Sequence, residues 1–169
     1  MLEPKGRSVS AEDSMRKSAV ISLCKRYRYE LRRVWDETSP WVLFIGLNPS
    51  TADEKTEDNT SRVCTNNAKR WGYGGLLMGN LFAFRSTDQY ALRSVADPVG
   101  PDNDACLKAL QSEAALVVCA WGDTGGYNGR DTQVLAFLKN PHCLMQLKSG
   151  RPGHPLYKRT DLSPTQLRH

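Results

Sequence analysis

The chain has 169 residues, of which 24% are charged and 40% are hydrophobic, and its formal net charge is +5. This composition is ordinary for a globular protein, and the length is enough for one domain with its own core. No apolar run is long enough to cross a membrane, and the polar N-terminus is unlike a secretion signal. We therefore expect a cytoplasmic protein with no membrane partner, whose positive charge suits a polyanion.

The five cysteines stand singly along the chain, at positions 24, 64, 106, 119 and 143. Zinc and iron–sulfur sites need clustered ligands, which these spacings do not provide. The odd number also does not suit a disulfide framework. We therefore expect no metal and no cofactor, and we interpret most of these residues as buried thiols.

The N-terminal third predicts a tail followed by a strand. Residues 1–18 show no apolar periodicity and predict a flexible N-terminal tail, which leaves residues 19–169 as a single domain. Residues 25–33 alternate in character, which predicts a half-buried strand. Its two faces would carry Tyr27, Tyr29 and Leu31 on one side and Arg26, Arg28, Glu30 and Arg32 on the other. We interpret the basic face as the solvated edge of a sheet.

The rest of the chain alternates between apolar runs and helical spacing. Buried strands are predicted at residues 41–45, 76–83, 115–120 and 143–147. Helices are predicted at about 60–71, with Gly72 as the stop, at 102–112 and at 131–138, with a short helix near 90–95. This alternation predicts an α/β fold with a central, mainly parallel sheet and helices on both faces, a three-layer α/β/α sandwich.

Polar loops follow the predicted strands. In a parallel sheet these loops meet at one rim, where ligands bind in such folds. The first loop contains Asn48-Pro49, the second runs from Asn80 through Arg85, the third is rich in glycine, and the last contains His154. The sequence therefore predicts a ligand pocket at this rim.

Three of these segments resemble, in order, motifs of the uracil-DNA glycosylase superfamily, most closely its mismatch-specific branch. They are residues 44–49 (FIGLNP), 80–87 (NLFAFRST) and 153–156 (GHPL). The chain is similar in more detail to a bacterial and phage family of unknown function, DUF1643. Its pattern includes LNPSTAD, a Trp-Gly pair after a helix, NLFA, AWG and a terminal HPLY, all of which stand here.

The resemblance implies a glycosylase-like sandwich and a hydrolase that breaks the N-glycosidic bond of a pyrimidine base, modified or not, in DNA. Asn48 would position the attacking water and would not act as a general base, because an amide can form hydrogen bonds to water but cannot take up its proton. His154 would stabilise the departing base, Asp53 is a candidate general base, and Asn80 would read the edge of a flipped base. The other expected base-binding or substrate-binding residues are Gly46, Leu47, Pro49, Ser50, Phe82 and Arg85.

Other interpretations stay open. The last motif continues as Leu156-Tyr157-Lys158-Arg159, without the serine-rich continuation expected of a loop that wedges into a duplex. The chain could instead be a non-catalytic binder of nucleotides or modified DNA, or an enzyme acting on free nucleosides or nucleotides. Asn48, His154 and Asn80 also have purely structural interpretations, as a turn residue, a surface residue and a strand cap. We expect a monomer.

Overall fold

The computed structural model describes residues 14–157 and 161–169. Over these residues the chain is an α/β protein with a seven-stranded sheet in the order β1-β2-β4-β3-β5-β6-β7. The strands are β1 (Arg16–Ile21), β2 (Arg28–Val34), β3 (Trp41–Gly46), β4 (Gly75–Asn80), β5 (Leu116–Cys119), β6 (His142–Cys143) and β7 (Thr165–Gln166). The helices are α1 (Asn59–Arg70), α2 (Asn103–Glu113) and α3 (Arg130–Leu135), with 3₁₀ segments at Gln89–Ser94, Asp123–Gly129 and Pro155–Tyr157.

The sheet is mixed, so the expectation of a mainly parallel sheet is corrected. Strand β3 lies parallel between β4 and β5, and β6 continues this parallel group. Strands β1 and β2 form an antiparallel pair, and β2 also runs antiparallel to β4. The short strand β7 pairs antiparallel with β6. Antiparallel neighbours need no helical crossover, so the antiparallel direction of these outer strands could not be predicted from an alternation of strands with helices.

Helices pack against both faces of the sheet. On one face, α1 packs Cys64 and Ala68 against Phe44 and other buried side chains of the sheet. On the other face, α2 and α3 contribute buried side chains such as Leu107 and Val134 to a second cluster. Both faces of the central strands are therefore covered, which explains why β3 and β4 are apolar without alternation.

Helix α1 has well-defined ends, and its predicted position is confirmed. Asp58 accepts a hydrogen bond from the backbone N–H of Ser61 (2.8 Å), and Ser61 Oγ accepts one from the backbone N–H of Asp58 (3.1 Å). This reciprocal pair is a capping box. At the other end, Gly72 has a φ of +85°, a conformation that glycine adopts easily and that ends the helix.

Strand β1 is an addition to the predicted elements. Residues 16–18, expected in the flexible tail, lie in this strand, whereas residues 1–13 of that tail are outside the described residues. Most of its side chains are exposed, so it carries no apolar periodicity that a sequence could reveal. Because β1 covers β2, the strand predicted at residues 25–33 is an inner strand, and the prediction of a sheet edge is wrong.

A β-bulge in β2 changes the direction of Arg28. Val20 of β1 pairs with Glu30, but the next residue, Ile21, pairs with Arg28, so Tyr29 is an extra residue on its strand. A bulge of this kind reverses the alternation of side chains. Arg28 therefore points toward the α1 side of the sheet, where its Nη1 donates to the carbonyl oxygen of Ala52 (2.8 Å). The prediction that Arg28 lies on a solvated face is therefore wrong, since this residue is 2% exposed.

Arg33 fixes the loop that leads into α1. Its side chain is fully buried, forms an ion pair with Glu57 and donates to the backbone carbonyls of Asp53 and Thr56. We expect Glu57→Gln to lower the free energy of unfolding by about 3 kcal/mol, because it leaves a buried guanidinium without its counter-ion. Urea denaturation measures this change.

Glu113→Gln is the matched control. Glu113 pairs with Arg32 through two hydrogen bonds, but both side chains are partly exposed, at 39% and 24%. Solvent screens such a pair, so its loss should change stability by less than about 1 kcal/mol. Equal effects of the two substitutions would contradict a special role for the Arg33–Glu57 pair.

Candidate functional site

A cavity of about 530 Å³ lies at the carboxyl ends of β3 and β4, on the side of the sheet that α1 covers. Phe44, Met78 and Cys64 form its apolar lining. Phe44 and Met78 stand two residues before Gly46 and Asn80, so each pair shares one face of its strand. The volume lies in the range of pockets that hold small organic ligands.

The polar rim of the cavity comes from the loops that the sequence indicated. Backbone pairing continues beyond β3 and β4, because the N–H groups of Leu81 and Phe82 donate to the carbonyls of Gly46 and Leu47 (both 2.9 Å). The cavity brings together most of the predicted site residues. They are Gly46, Leu47, Asn48, Pro49, Ser50, Asn80 and His154.

Asn48 connects the loops after β3 and β4. Its Nδ2 donates to the carbonyl oxygens of Ser86 (2.9 Å) and Pro49 (3.3 Å). No described residue donates to its Oδ1. The amide is thus held in one orientation, with its oxygen as the atom that can accept a hydrogen bond from a water or ligand.

Asn80 is the most unusual polar side chain of the cavity. It is 4% exposed, and its Nδ2 has no hydrogen-bond partner among the described residues. It stands opposite Gly46 in the parallel register, where a Cβ on Gly46 would come within 2.9 Å of Asn80 Oδ1. Burying an amide N–H group without a partner costs about 1–3 kcal/mol. The side chain of Asn80 is therefore suited to a partner that enters the cavity.

The backbone at the end of β4 is fixed from the opposite face. Asn103, fully buried at the start of α2, donates to the carbonyl oxygens of Asn80 and Leu81 (both 3.0 Å). Arg130 Nε donates to the same Leu81 carbonyl (2.7 Å), and its guanidinium pairs with Asp104 (2.6 Å). Both carbonyls thus accept side-chain donors from the α2 side, and β4 ends at Asn80, whereas the predicted strand continues to residue 83.

His154 lines the cavity from the last loop. Its Nδ1 accepts a hydrogen bond from the backbone N–H of Leu156 (3.2 Å). The neutral imidazole therefore carries its proton on Nε2, which makes this nitrogen the donor of the ring. The basic continuation of this motif, residues 158–159, lies outside the described residues.

Three predicted residues do not line the cavity. Asp53 Oδ1 accepts from the backbone N–H groups of Lys55 (2.8 Å) and Thr56 (2.7 Å), and these bonds hold the pKa of its carboxyl below the ordinary value. Such a carboxylate is a weak proton acceptor at neutral pH. Phe82 is fully buried in the cluster on the α2 side, and Arg85 Nη1 donates to the carbonyl oxygen of Lys25 (3.4 Å).

Among the lining residues that sequence reasoning did not assign to the site, Arg28 and Phe44 are the most relevant to ligand binding. Arg28 reaches it only because of the bulge in β2, which no local pattern reveals. Burial lowers the pKa of its guanidinium to about 10, so the group stays cationic at neutral pH. Phe44 could have been found, because it precedes Gly46 by two residues on a strand. Its ring stacks on Trp71, with the centroids 5.8 Å apart.

Two carboxylates other than Asp53 and one thiol line the cavity. Asp58, the N-cap of α1, and Asp123 both line it. Cys64 also lines it, but burial raises the pKa of this thiol well above its ordinary value. Because the thiolate is the reactive form, Cys64 is not suited to act as a nucleophile.

The described part of the chain contains no metal-binding cluster, meaning no group of three or more His, Cys, Asp or Glu side chains placed to hold an ion. Within the same residues, none of the helices has the length and apolar character needed to cross a membrane. The five cysteines are all free, and Cys64, Cys119 and Cys143 are buried.

The comparison with known families places the chain. The sequence pattern of a family described as protein of unknown function (DUF1643) matches residues 28–156. Its limits coincide with Arg28 and Leu156, which among residues 14–157 and 161–169 are the first and the last that line the cavity. No match was found among curated proteins or among solved structures. Because the matched segment covers most of its length, the chain belongs to the DUF1643 family.

Proposed function

We propose that the cavity binds a pyrimidine nucleotide unit of DNA and hydrolyses the N-glycosidic bond of its base. The observation that carries this proposal is the buried amide of Asn80, whose Nδ2 has no partner among the described residues. A carboxamide presents a donor and an acceptor side by side, which matches the adjacent carbonyl and N–H groups of uracil or thymine. Phe44 adds an apolar aromatic face to the same cavity.

The proposal includes a glycosylase-like sandwich for the central part of the fold. It is supported by the parallel group β4-β3-β5-β6 with helices on both faces. The motif resemblance also fits, since residues 44–49, 80–87 and 153–156 all contribute to one cavity. The pair β1–β2 and the short strand β7 are then additions at the two sides of this group.

In the proposed reaction, the bond between C1′ of the sugar and the ring nitrogen breaks, and its electron pair leaves with the base. Asn48 Oδ1 accepts a hydrogen bond from the attacking water and directs its oxygen to C1′. The Nε2–H of His154 donates to a carbonyl oxygen of the base, where negative charge develops. The water loses its proton to a carboxylate, for which Asp58 and Asp123 lie on the cavity lining.

Base release from oligonucleotides tests the catalytic proposal. Duplexes and single strands containing uracil, hydroxymethyluracil or a mismatch are incubated with the protein and then treated with alkali, which breaks the strand at sites that have lost a base. We expect strand breaks at one of these bases. Asn48→Ala and His154→Ala should each lower the rate about 100-fold or more, because each removes an interaction that acts in the transition state.

Asn66→Ala and His169→Ala are the matched controls, since both residues are exposed and do not line the cavity. Unchanged rates in Asn48→Ala and His154→Ala would refute the mechanism. Binding of an oligonucleotide without release of its base identifies a non-catalytic binder instead. Activity only on free nucleosides or nucleotides, without salt-sensitive DNA affinity, identifies a small-molecule enzyme.

Gly46→Ala tests the role of Asn80 without changing that residue. The new Cβ would lie 2.9 Å from Asn80 Oδ1, so the buried amide must move. We expect the affinity for the base to fall about 10-fold, which corresponds to one lost hydrogen bond. Isothermal titration with uracil or deoxyuridine measures it.

A double-mutant cycle makes this prediction specific. In an Asn80→Ala background the methyl group has no amide to displace, so Gly46→Ala should then have little effect on affinity. Additive effects of the two substitutions would show that Gly46→Ala acts in another way, for example by distorting the loop after β3.

A further inference from the structure

Three arginines are buried among the described residues, and one of them differs from the other two. Arg33 pairs with Glu57, and Arg130 pairs with Asp104. For Arg28, no described carboxylate forms an ion pair with the guanidinium, and its Nε is buried without an acceptor. Its hydrogen bond is the one from Nη1 to the Ala52 carbonyl. Arg28 is also the arginine of the three that lines the cavity.

The charges around Arg28 do not replace a counter-ion. Burial is the main cause of its lowered pKa, which shows that the cationic form is poorly solvated. The negative charges of Asp58 and Asp53 act on it favourably, but the positive charges of Arg85 and Arg33 oppose them. A buried charge without a well-placed partner destabilises a protein by several kcal/mol. Within the fold, this guanidinium therefore has donors to spare for an incoming group.

A second unpaired donor faces the same cavity. Asn80 Nδ2 is buried without a partner among the described residues, and Asn80 ends β4, the strand beside β2. Two neighbouring strands thus each contribute a buried side chain with unused hydrogen-bond donors. An amide is suited to a neutral base edge, whereas a guanidinium is suited to an oxyanion, which it binds with two parallel hydrogen bonds.

Building on the proposed function, we infer that Arg28 binds an oxyanion of the ligand, a phosphate or a carboxylate, while Asn80 binds its pyrimidine ring. A side chain that is 2% exposed contacts only groups that enter the cavity. A phosphate that reaches Arg28 therefore belongs to a mononucleotide or a strand end. A carboxylate attached to the base would reach it from an internal position of DNA as well.

Isothermal titration with matched pairs of probes tests this inference on the full chain. Deoxyuridine monophosphate is compared with deoxyuridine, orotate is compared with uracil, and inorganic phosphate is titrated alone. We expect one charged probe to bind the wild-type protein at least 10-fold more tightly than its neutral counterpart, as one charge-assisted hydrogen bond provides. The charged member of the preferred pair identifies the oxyanion as phosphate or carboxylate.

Substitution of Arg28 gives the decisive comparison. Arg28→Met should abolish the preference for the charged probe, and Arg28→Lys should retain part of it, because lysine keeps the charge but loses the planar fork. Arg33→Met is the matched control for burial. Its melting temperature should fall, whereas that of Arg28→Met should stay the same or rise, because an unpaired buried charge is removed.

The inference is overturned if all charged probes bind no better than the neutral ones, if none of them binds at millimolar concentration, or if the preference persists in both Arg28 variants. Its failure is distinguishable from that of the proposed function through Asn80→Ala. If Asn80→Ala weakens the binding of deoxyuridine while Arg28→Met changes nothing, the base site stands and the oxyanion site fails. If phosphate binds in an Arg28-dependent way and no pyrimidine binds, the oxyanion site stands and the base site fails.

Discussion

The parallel register of β3 and β4 determines the geometry of the cavity. It sets Gly46 directly opposite Asn80, and the missing side chain of Gly46 leaves the space that the Asn80 amide occupies. The same pairing continues into the loops, where the N–H groups of Leu81 and Phe82 bond to the carbonyls of Gly46 and Leu47. Asn48 then joins the two loops through the Ser86 carbonyl. A shift of one residue in this register would turn Asn80 to the opposite face and separate these groups.

The three buried arginines of the described residues differ in the groups that they contact. Arg33 and Arg130 each satisfy a carboxylate and backbone carbonyls, so they hold loops and strand ends in place. Arg28 contacts a single carbonyl and lines the cavity. Residues that fix a structure should be intolerant of replacement, whereas a residue kept for a ligand can be a burden on stability. These three arginines are buried to a similar degree, so they allow structural support to be compared with the ligand recognition proposed for Arg28.

The sequence was most informative where structure is local. The apolar run of β3, together with the helical spacing and the Gly72 stop of α1, made these two elements predictable, and with them the loop that contains Asn48. The mixed sheet was not predictable, because it depends on the pairing of β2 with β1 and β4. The residue pattern of a strand does not indicate which other strand it pairs with. Asp53 and Asp58 show the same limit within one loop. Asp53 accepts hydrogen bonds from backbone N–H groups, whereas Asp58 lines the cavity. From the sequence alone, either aspartate could have been the one at the cavity.

The bulge in β2 has a consequence for how this protein compares with its relatives. Tyr29 is one extra residue on its strand, so the direction of Arg28 depends on strand length as well as on residue identity. One additional residue in β1 opposite Tyr29 would restore strict alternation and present the same arginine to the α2 side. The cavity would lose its cation although no residue had been substituted. Insertions and deletions in β1 or β2 that change this pairing are therefore a direct way for evolution to alter the charge of the cavity.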